Sequence, residues 1–187
     1  MKIAIAGSAG SGKTTLAKAL AARLEFVYIA ENYEAFFDQP GKFNSPPHLL
    51  SRAFIEVLEK KRTLELQAGS FVADRCPVDL FHLWLRKNLF QLEEETRQYY
   101  DQCQAYCRDY DFIILSAWGC LDLTPLPDKA SPQKRVMNPW VQLSNHASIS
   151  GLASMWLPAE RIIHLPQQKA TVAKNVQMVL EAIKKRR

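Results

Sequence analysis

The sequence predicts an α/β fold in which a parallel sheet is covered on both faces by helices. Two observations carry this. Short apolar runs of strand length alternate along the whole chain with longer stretches of helical periodicity. The first run, 3–6, passes directly into Gly7-Ser8-Ala9-Gly10-Ser11-Gly12-Lys13-Thr14, a glycine-rich turn that opens a helix. Parallel strands need long crossovers, and the intervening helices supply them.

Taken in order, 3–6 is a strand and 13–24 a helix, with Leu16, Ala17, Leu20 and Leu24 at helical spacing. A second strand spans 26–29. Residues 32–47, with Pro40, Gly41, Pro46 and Pro47, have loop chemistry. Ser45 followed by Pro46 reads as a helix start, with the serine as cap and the proline at the first position. Leu50, Phe54, Val57, Leu58 and Leu64 continue that helix to about residue 68, where Gly69 terminates it. Residues 71–73 form a third strand ending at Asp74. Helices follow over 78–89 and 92–109, the second with Glu93, Glu94 and Glu95 in its first turn. Residues 112–115 are a fourth strand. The stretch 122–139 holds four prolines and is too long for an idle connection, so it reads as a lid. A helix over 139–155, a strand over 161–165 and a closing helix over 171–185 complete one domain, 1–187.

Bulk composition excludes several classes. The chain is 48% apolar and 23% charged, which is ordinary for a water-exposed globular protein. Of the net charge of +5, Lys184, Lys185, Arg186 and Arg187 supply four, leaving +1 for the body. The basic end suits the negative pole of a helix, so a nucleic-acid partner is not expected. The longest apolar run is far short of a bilayer span, and no membrane partner is expected. Cys76, Cys103, Cys107 and Cys120 lack zinc-ribbon spacing and read as reduced thiols of a cytoplasmic protein. A homodimer stays open.

The chemistry concentrates where strands end, since open parallel sheets bind ligands beyond the carboxyl ends of their strands. After the first strand, the glycines let the backbone curl so that successive N–H groups point at phosphate oxygens. The helix N-terminus adds its positive end. Gly7, Ser8, Ala9, Gly10, Ser11, Gly12, Lys13, Thr14 and Thr15 are therefore the candidate binding residues for ATP or GTP. Lys13 is expected to reach the β- and γ-phosphates and the Thr14 hydroxyl to ligate Mg2+.

After the second strand, Glu31 can take a proton from a substrate hydroxyl or hydrogen-bond it; a loop carboxylate capping a turn is the plainer reading. After the third strand, Asp74 is placed for a magnesium-linked carboxylate or a base, and Arg75 for a planar cation on phosphate or substrate. Asp79 can orient Arg75, contact substrate, or serve the helix dipole. In the lid, Lys129, Lys134 and Arg135 are candidate cations for the γ-phosphate, or charges that keep a loop solvated. His48, His82, His146 and His164 show no metal spacing, and His164 reads as packed in its strand. Trp84, Trp118, Trp140 and Trp156 read mostly as core, with Trp118 placed to stack on a flat ring. Phe36 and Phe37 could line an apolar pocket.

With Gly7 to Thr14, Glu31 and Asp74-Arg75 in this order, the chain resembles a P-loop kinase of the nucleoside and nucleotide kinase group, and in particular a ribosylnicotinamide-kinase-like ATPase domain. The resemblance implies a five-stranded sheet of order 2-3-1-4-5 in a three-layer α/β/α sandwich with a lid. It also implies ATP with Mg2+ and a small hydroxyl-bearing, nucleoside-like acceptor. It assigns Lys13 and Thr14 to phosphate and magnesium, Asp74 to magnesium or base, Arg75 to substrate or phosphate, and Glu31 to substrate. There are departures, and one is that the expected lid is not arginine-rich. Deoxynucleoside kinases tend to show Glu-Arg-Ser where this chain has Asp74-Arg75-Cys76, and Glu-Pro where it has Glu31-Asn32. A P-loop NTPase without a small acceptor is the alternative. An AAA+ motor would end its third strand in Asp-Glu rather than Asp74-Arg75.

Overall fold

Five strands and six α-helices are present among the residues described by the structure, a computed structural model covering 1–31, 45–120 and 138–186. In chain order these are β1 (Lys2–Ala6), α1 (Lys13–Leu24), β2 (Val27–Ile29), α2 (Pro47–Ala68), β3 (Phe71–Asp74), α3 (Pro77–Arg86), α4 (Glu93–Cys107), β4 (Phe112–Leu115), α5 (Pro139–Trp156), β5 (Ile162–His164) and α6 (Val172–Arg186). The strands pair all-parallel in the order β2-β3-β1-β4-β5, as the resemblance implied.

The period of two in the strands sorts their side chains between two cores. Ile3 and Ile5 of β1 join Val72, Phe112, Ile114 and Ile163 under α1 and α6. Ala4 and Ala6 point the other way, with Phe71, Ala73, Ile113 and Leu115, into the core shared with α2, α3, α4 and α5. That second core is rich in rings. Trp84 and Tyr99 stack at 4.4 Å between centroids, and Phe54 meets both edge-on. The central strand is buried on both faces, so the active edge is set by its register: Ile5 lies opposite Asp74 and Ala6 opposite Leu115. The ends of β1, β3 and β4 therefore open onto one rim.

Several boundaries differ from the sequence reading. The second helix starts at Pro47, with the extended Pro46 (φ −51°, ψ 145°) as its cap and no side-chain cap from Ser45. A residue before proline is driven out of the α region, so two successive prolines move the start along by one. The third helix stops at Arg86, because Asn88 takes a left-handed conformation (φ 55°) before a 3₁₀ turn at Leu89–Gln91. Thr96 holds that turn, accepting from Trp84 Nε1 and donating to the Leu89 carbonyl. His164 is exposed at the end of β5, not packed. Trp84 and Trp156 are core, but Trp140 is 71% exposed and Trp118 half-buried. All four cysteines are free thiols. No helix among the described residues is long and apolar enough to cross a membrane. The expected lid, with Lys129, Lys134 and Arg135, and the pair Phe36 and Phe37 lie outside the described residues.

Candidate functional site

The glycine-rich turn between β1 and α1 has the backbone that its sequence demands. Gly10 and Gly12 hold positive φ (76° and 81°), and Gly12 in its left-handed conformation is the N-cap of α1. Gly7 is required on two counts. Its φ is +143°, and a Cβ there would lie 2.2 Å from Ser116 Oγ. The loop is tied internally by Ser11 Oγ, which donates to the Ser8 carbonyl at 2.8 Å and pairs with Ser116 Oγ at 2.6 Å. Ser116, the first residue after β4, also donates to the Ala6 carbonyl.

Lys13 opens α1 and is nearly buried; its ammonium donates to the Ser8 carbonyl at 2.7 Å. Burial pushes its pKa down to about 8, and the neighbouring Arg75 cation acts the same way. Asp79, Glu31 and Asp74 pull in the opposite direction. Four of the residues singled out from the sequence are thus within electrostatic reach of one ammonium.

Thr14 Oγ1 donates to Asp74 Oδ2 at 2.5 Å. Asp74, buried at the end of β3, has its pKa raised by burial, opposed by the Thr14 hydrogen bond and the Lys13 charge. Its second oxygen, Oδ1, is buried with no hydrogen-bond partner. A carboxylate oxygen left without a donor beside a threonine hydroxyl is hard-oxygen chemistry, and it fits magnesium or magnesium-bound water. Among the described residues no cluster of three or more His, Cys, Asp or Glu side chains forms a self-sufficient metal site. A cation at Thr14 and Asp74 therefore needs phosphate oxygens to complete its shell, as magnesium does in nucleotide sites.

Also near Lys13, Glu31 and Arg75 form an ion pair at 2.6 Å, with side chains 20% and 12% exposed. Arg75 follows β3 in a left-handed conformation (φ 67°), its N–H donating to the Ile5 carbonyl. Its guanidinium also donates to Asp79 Oδ1 at 3.4 Å. The buried Asp79 combines two of the roles open to it from sequence. It caps α3 by accepting from Cys76 N at 3.0 Å, and it orients Arg75. It also accepts from Gly7 N at 3.1 Å, tying α3 to the phosphate loop.

Other groups at the rim were not singled out from sequence. Tyr28 of β2 has its pKa raised to about 12 by burial and by the charges of Asp74 and Glu31, which puts its phenol beside both carboxylates. Gln142 and Asn145 of α5 hydrogen-bond the phosphate loop at Ala9 and Ser8. The only sequence signal for them is that two amides take up core positions on a helix whose same face continues with Ile149, Leu152, Ala153 and Trp156. Beside the loop lies a cavity of about 140 Å³ between Ser11, Gly12 and Thr15 on one wall and Leu165, Gln168 and Asn175 on the other. Arg135 lies outside the described residues.

A family model described as an AAA domain matches residues 2–135. No curated protein matches the chain. Among solved structures, deoxyadenosine kinase from M. mycoides with the products dCMP and a flexible dCDP bound is similar, with a TM-score of 0.66 and 13% identity over 100% of both chains. NadR protein in complex with NR is similar over 98% of this chain and 49% of that one, at a TM-score of 0.63 and 13% identity. Shikimate kinase from Acinetobacter baumannii in complex with shikimate gives 0.55 and 15% identity, over 98% and 92%. At such identities the likeness is one of fold.

Proposed function

This chain belongs to the AAA-domain family, and from that premise we propose that it is a magnesium-dependent kinase transferring the γ-phosphoryl group of ATP or GTP to a small, nucleoside-like hydroxyl acceptor. The observation that carries the reading is the division of labour around Lys13. Thr14 and Asp74 form one hydrogen-bonded pair beside it, and Glu31 and Arg75 form a separate ion pair. Pure hydrolysis needs no second carboxylate–guanidinium pair at the mouth of the site, whereas an acceptor hydroxyl needs a group to orient it. The solved structures of like fold named above are kinases in two of the three cases, which supports the same reading.

Phosphoryl transfer asks little covalent chemistry of a protein; positioning and charge neutralisation supply the rate. The backbone N–H groups from Ser8 to Thr14 cradle the phosphates. Lys13 leaves the Ser8 carbonyl for the β- and γ-phosphate oxygens, which stabilise its charged form. Thr14 and Asp74 hold the magnesium ion, which neutralises phosphate charge when bound. Glu31 accepts a hydrogen bond from the acceptor hydroxyl and takes its proton as the bond to phosphorus forms. Arg75, braced by Asp79, keeps Glu31 aimed. The cavity beside Ser11 and Thr15 accommodates part of the nucleoside of the triphosphate.

An acceptor screen tests this. ADP release that depends on an added nucleoside or similar alcohol is expected. Equal release in water alone identifies a hydrolase instead. Lys13→Ala is expected to abolish turnover while leaving the fold intact, and retention of most activity would remove its assigned role. Asp74→Asn is expected to lower turnover far more than nucleotide affinity.

A further inference from the structure

α5 begins at Pro139, capped by the Asn138 side chain, which accepts from Trp140 N. Its buried face changes character along its length. From Ile149 onwards that face is apolar, with Leu152, Ala153 and Trp156 packed in the core. In its first turns the same face carries Gln142 and Asn145, 1% and 5% exposed. An amide buried without partners is costly, and a leucine would fill such a position at no polar cost. The partners are therefore informative, and they belong to the nucleotide site.

Gln142 Nε2 donates to the Ala9 carbonyl at 3.1 Å, and its Oε1 accepts from Gly119 N at 2.8 Å. Asn145 Nδ2 donates to Ser8 Oγ at 3.3 Å. Ser148, one turn on, pairs with Nδ1 of His82 in α3 at 3.0 Å. Gln142 thus spans two walls of the cleft, the phosphate loop and the segment after β4 that carries Ser116 and Cys120. Ser8 and Ala9 are held from outside by two amides, while the Ser8 carbonyl accepts inside from Lys13 and Ser11. When Lys13 turns to a phosphate, the Ser8 carbonyl loses its cation, and the outer contacts remain to hold the loop's curl.

We propose that Gln142 and Asn145 are positioning residues of the phosphate loop, which set nucleotide affinity without touching the nucleotide. The inference rests on the reading of Gly7 to Thr14 as a triphosphate cradle. Backbone N–H donors converge on an anion only if the carbonyls between them are directed away. Gln142 holds one such carbonyl, that of Ala9, pointed at α5. Preorganisation of this kind lowers the cost of ordering the loop at the moment of binding.

The test compares Gln142→Met, of similar length but without hydrogen bonds, Gln142→Glu, and Leu152→Ala on the same helix face as a packing control. Calorimetric titration with AMP-PNP and magnesium reads affinity, and thermal melts without nucleotide read stability. Loss of one or two neutral hydrogen bonds predicts a rise in Kd of about tenfold for Gln142→Met. Gln142→Glu keeps the acceptor for Gly119 N but sets a carboxylate against the Ala9 carbonyl, so its loss is larger. Leu152→Ala melts earlier yet binds with the wild-type Kd. If Gln142→Met does not fold, the near-isosteric Gln142→Glu alone carries the comparison. A Gln142 variant that is folded and binds as the wild type does, or affinities that follow melting temperature across all three variants, overturns the proposal. Failure of the wild-type protein to bind any nucleoside triphosphate overturns the cradle reading and this inference with it, whereas wild-type binding with unaffected variants overturns the inference alone.

Discussion

Asp79→Asn probes the join between the phosphate loop and the rest of the site. The carboxylate is fully buried and accepts from Gly7 N, Cys76 N and Arg75 Nη1. Asparagine keeps the shape but only one acceptor oxygen. Whichever way the amide turns, its NH₂ faces either Gly7 N or Cys76 N, donor against donor. One buried N–H left without an acceptor costs ~1–3 kcal/mol, and the capping contribution of about 1 kcal/mol is weakened besides. Arg75 also loses its buried counter-charge, though Glu31 still pairs with it. The expected total is ~3 kcal/mol, a fall in Tm of roughly 6–12 °C for a chain of this size. Urea and thermal unfolding without nucleotide measure it. Glu31→Gln is the comparator: it removes the other partner of Arg75 from a partly exposed pair and leaves Gly7 alone, so its cost stays under ~1 kcal/mol. If Asp79→Asn melts within ~2 °C of the wild type, or if Glu31→Gln costs as much, Asp79 does not anchor the loop and the argument fails.

Three further outcomes are expected. Gly7→Ala places a Cβ 2.2 Å from Ser116 Oγ at a φ of +143°, costing ~1–3 kcal/mol of backbone strain on top of the clash. Adding Ser116→Gly relieves only the clash, so unfolding curves that show full recovery in the double variant would refute the strain component. Lys13, with its pKa lowered from 10.5 to about 8 by burial and Arg75, gains a proton when a triphosphate arrives. Nucleotide affinity therefore falls as pH rises through 8, and titration in buffers of different ionisation enthalpy shows proton uptake there. Between pH 8 and 10.5 the native state binds fewer protons at this site than the unfolded chain, so Lys13 makes stability rise with pH in that window, and Lys13→Met removes that slope. Far from the site, buried Glu65 pairs with Lys61 at 2.8 Å and accepts from Tyr106 and Tyr110. Glu65→Leu strands a buried ammonium and is expected to cost ~3–5 kcal/mol in urea unfolding, whereas nucleotide affinity of the folded protein stays unchanged.

Much of the fold was legible because its causes are local. The burial of 112–115 is written in four consecutive apolar residues, and the helix over 13–24 in apolar spacing. Both elements have the bounds read from sequence. Boundaries failed where two local rules competed. Ser45 is a good cap, but Pro46 before Pro47 is forced into an extended conformation and takes the cap position itself. Asn88 ended α3 early because a short polar side chain tolerates the left-handed region. His164 and Trp140 were misread because hydrophobic character does not say which face of an element meets solvent.

By itself, the order of residues determined the phosphate loop, the alternation of strands and helices, and the carboxylates at strand ends. Each of these is a matter of backbone freedom, periodicity or chain position within a few residues. The tertiary structure alone decided what those residues do to one another. Asp79 reaches Gly7 across 72 positions and Gln142 reaches Ala9 across 133. Asp74 meets Thr14 because β3 lies beside β1 in a particular register. Hydrogen bonds and ion pairs act over a few ångströms of space, and spacing along the chain carries no record of which distant groups folding brings that close.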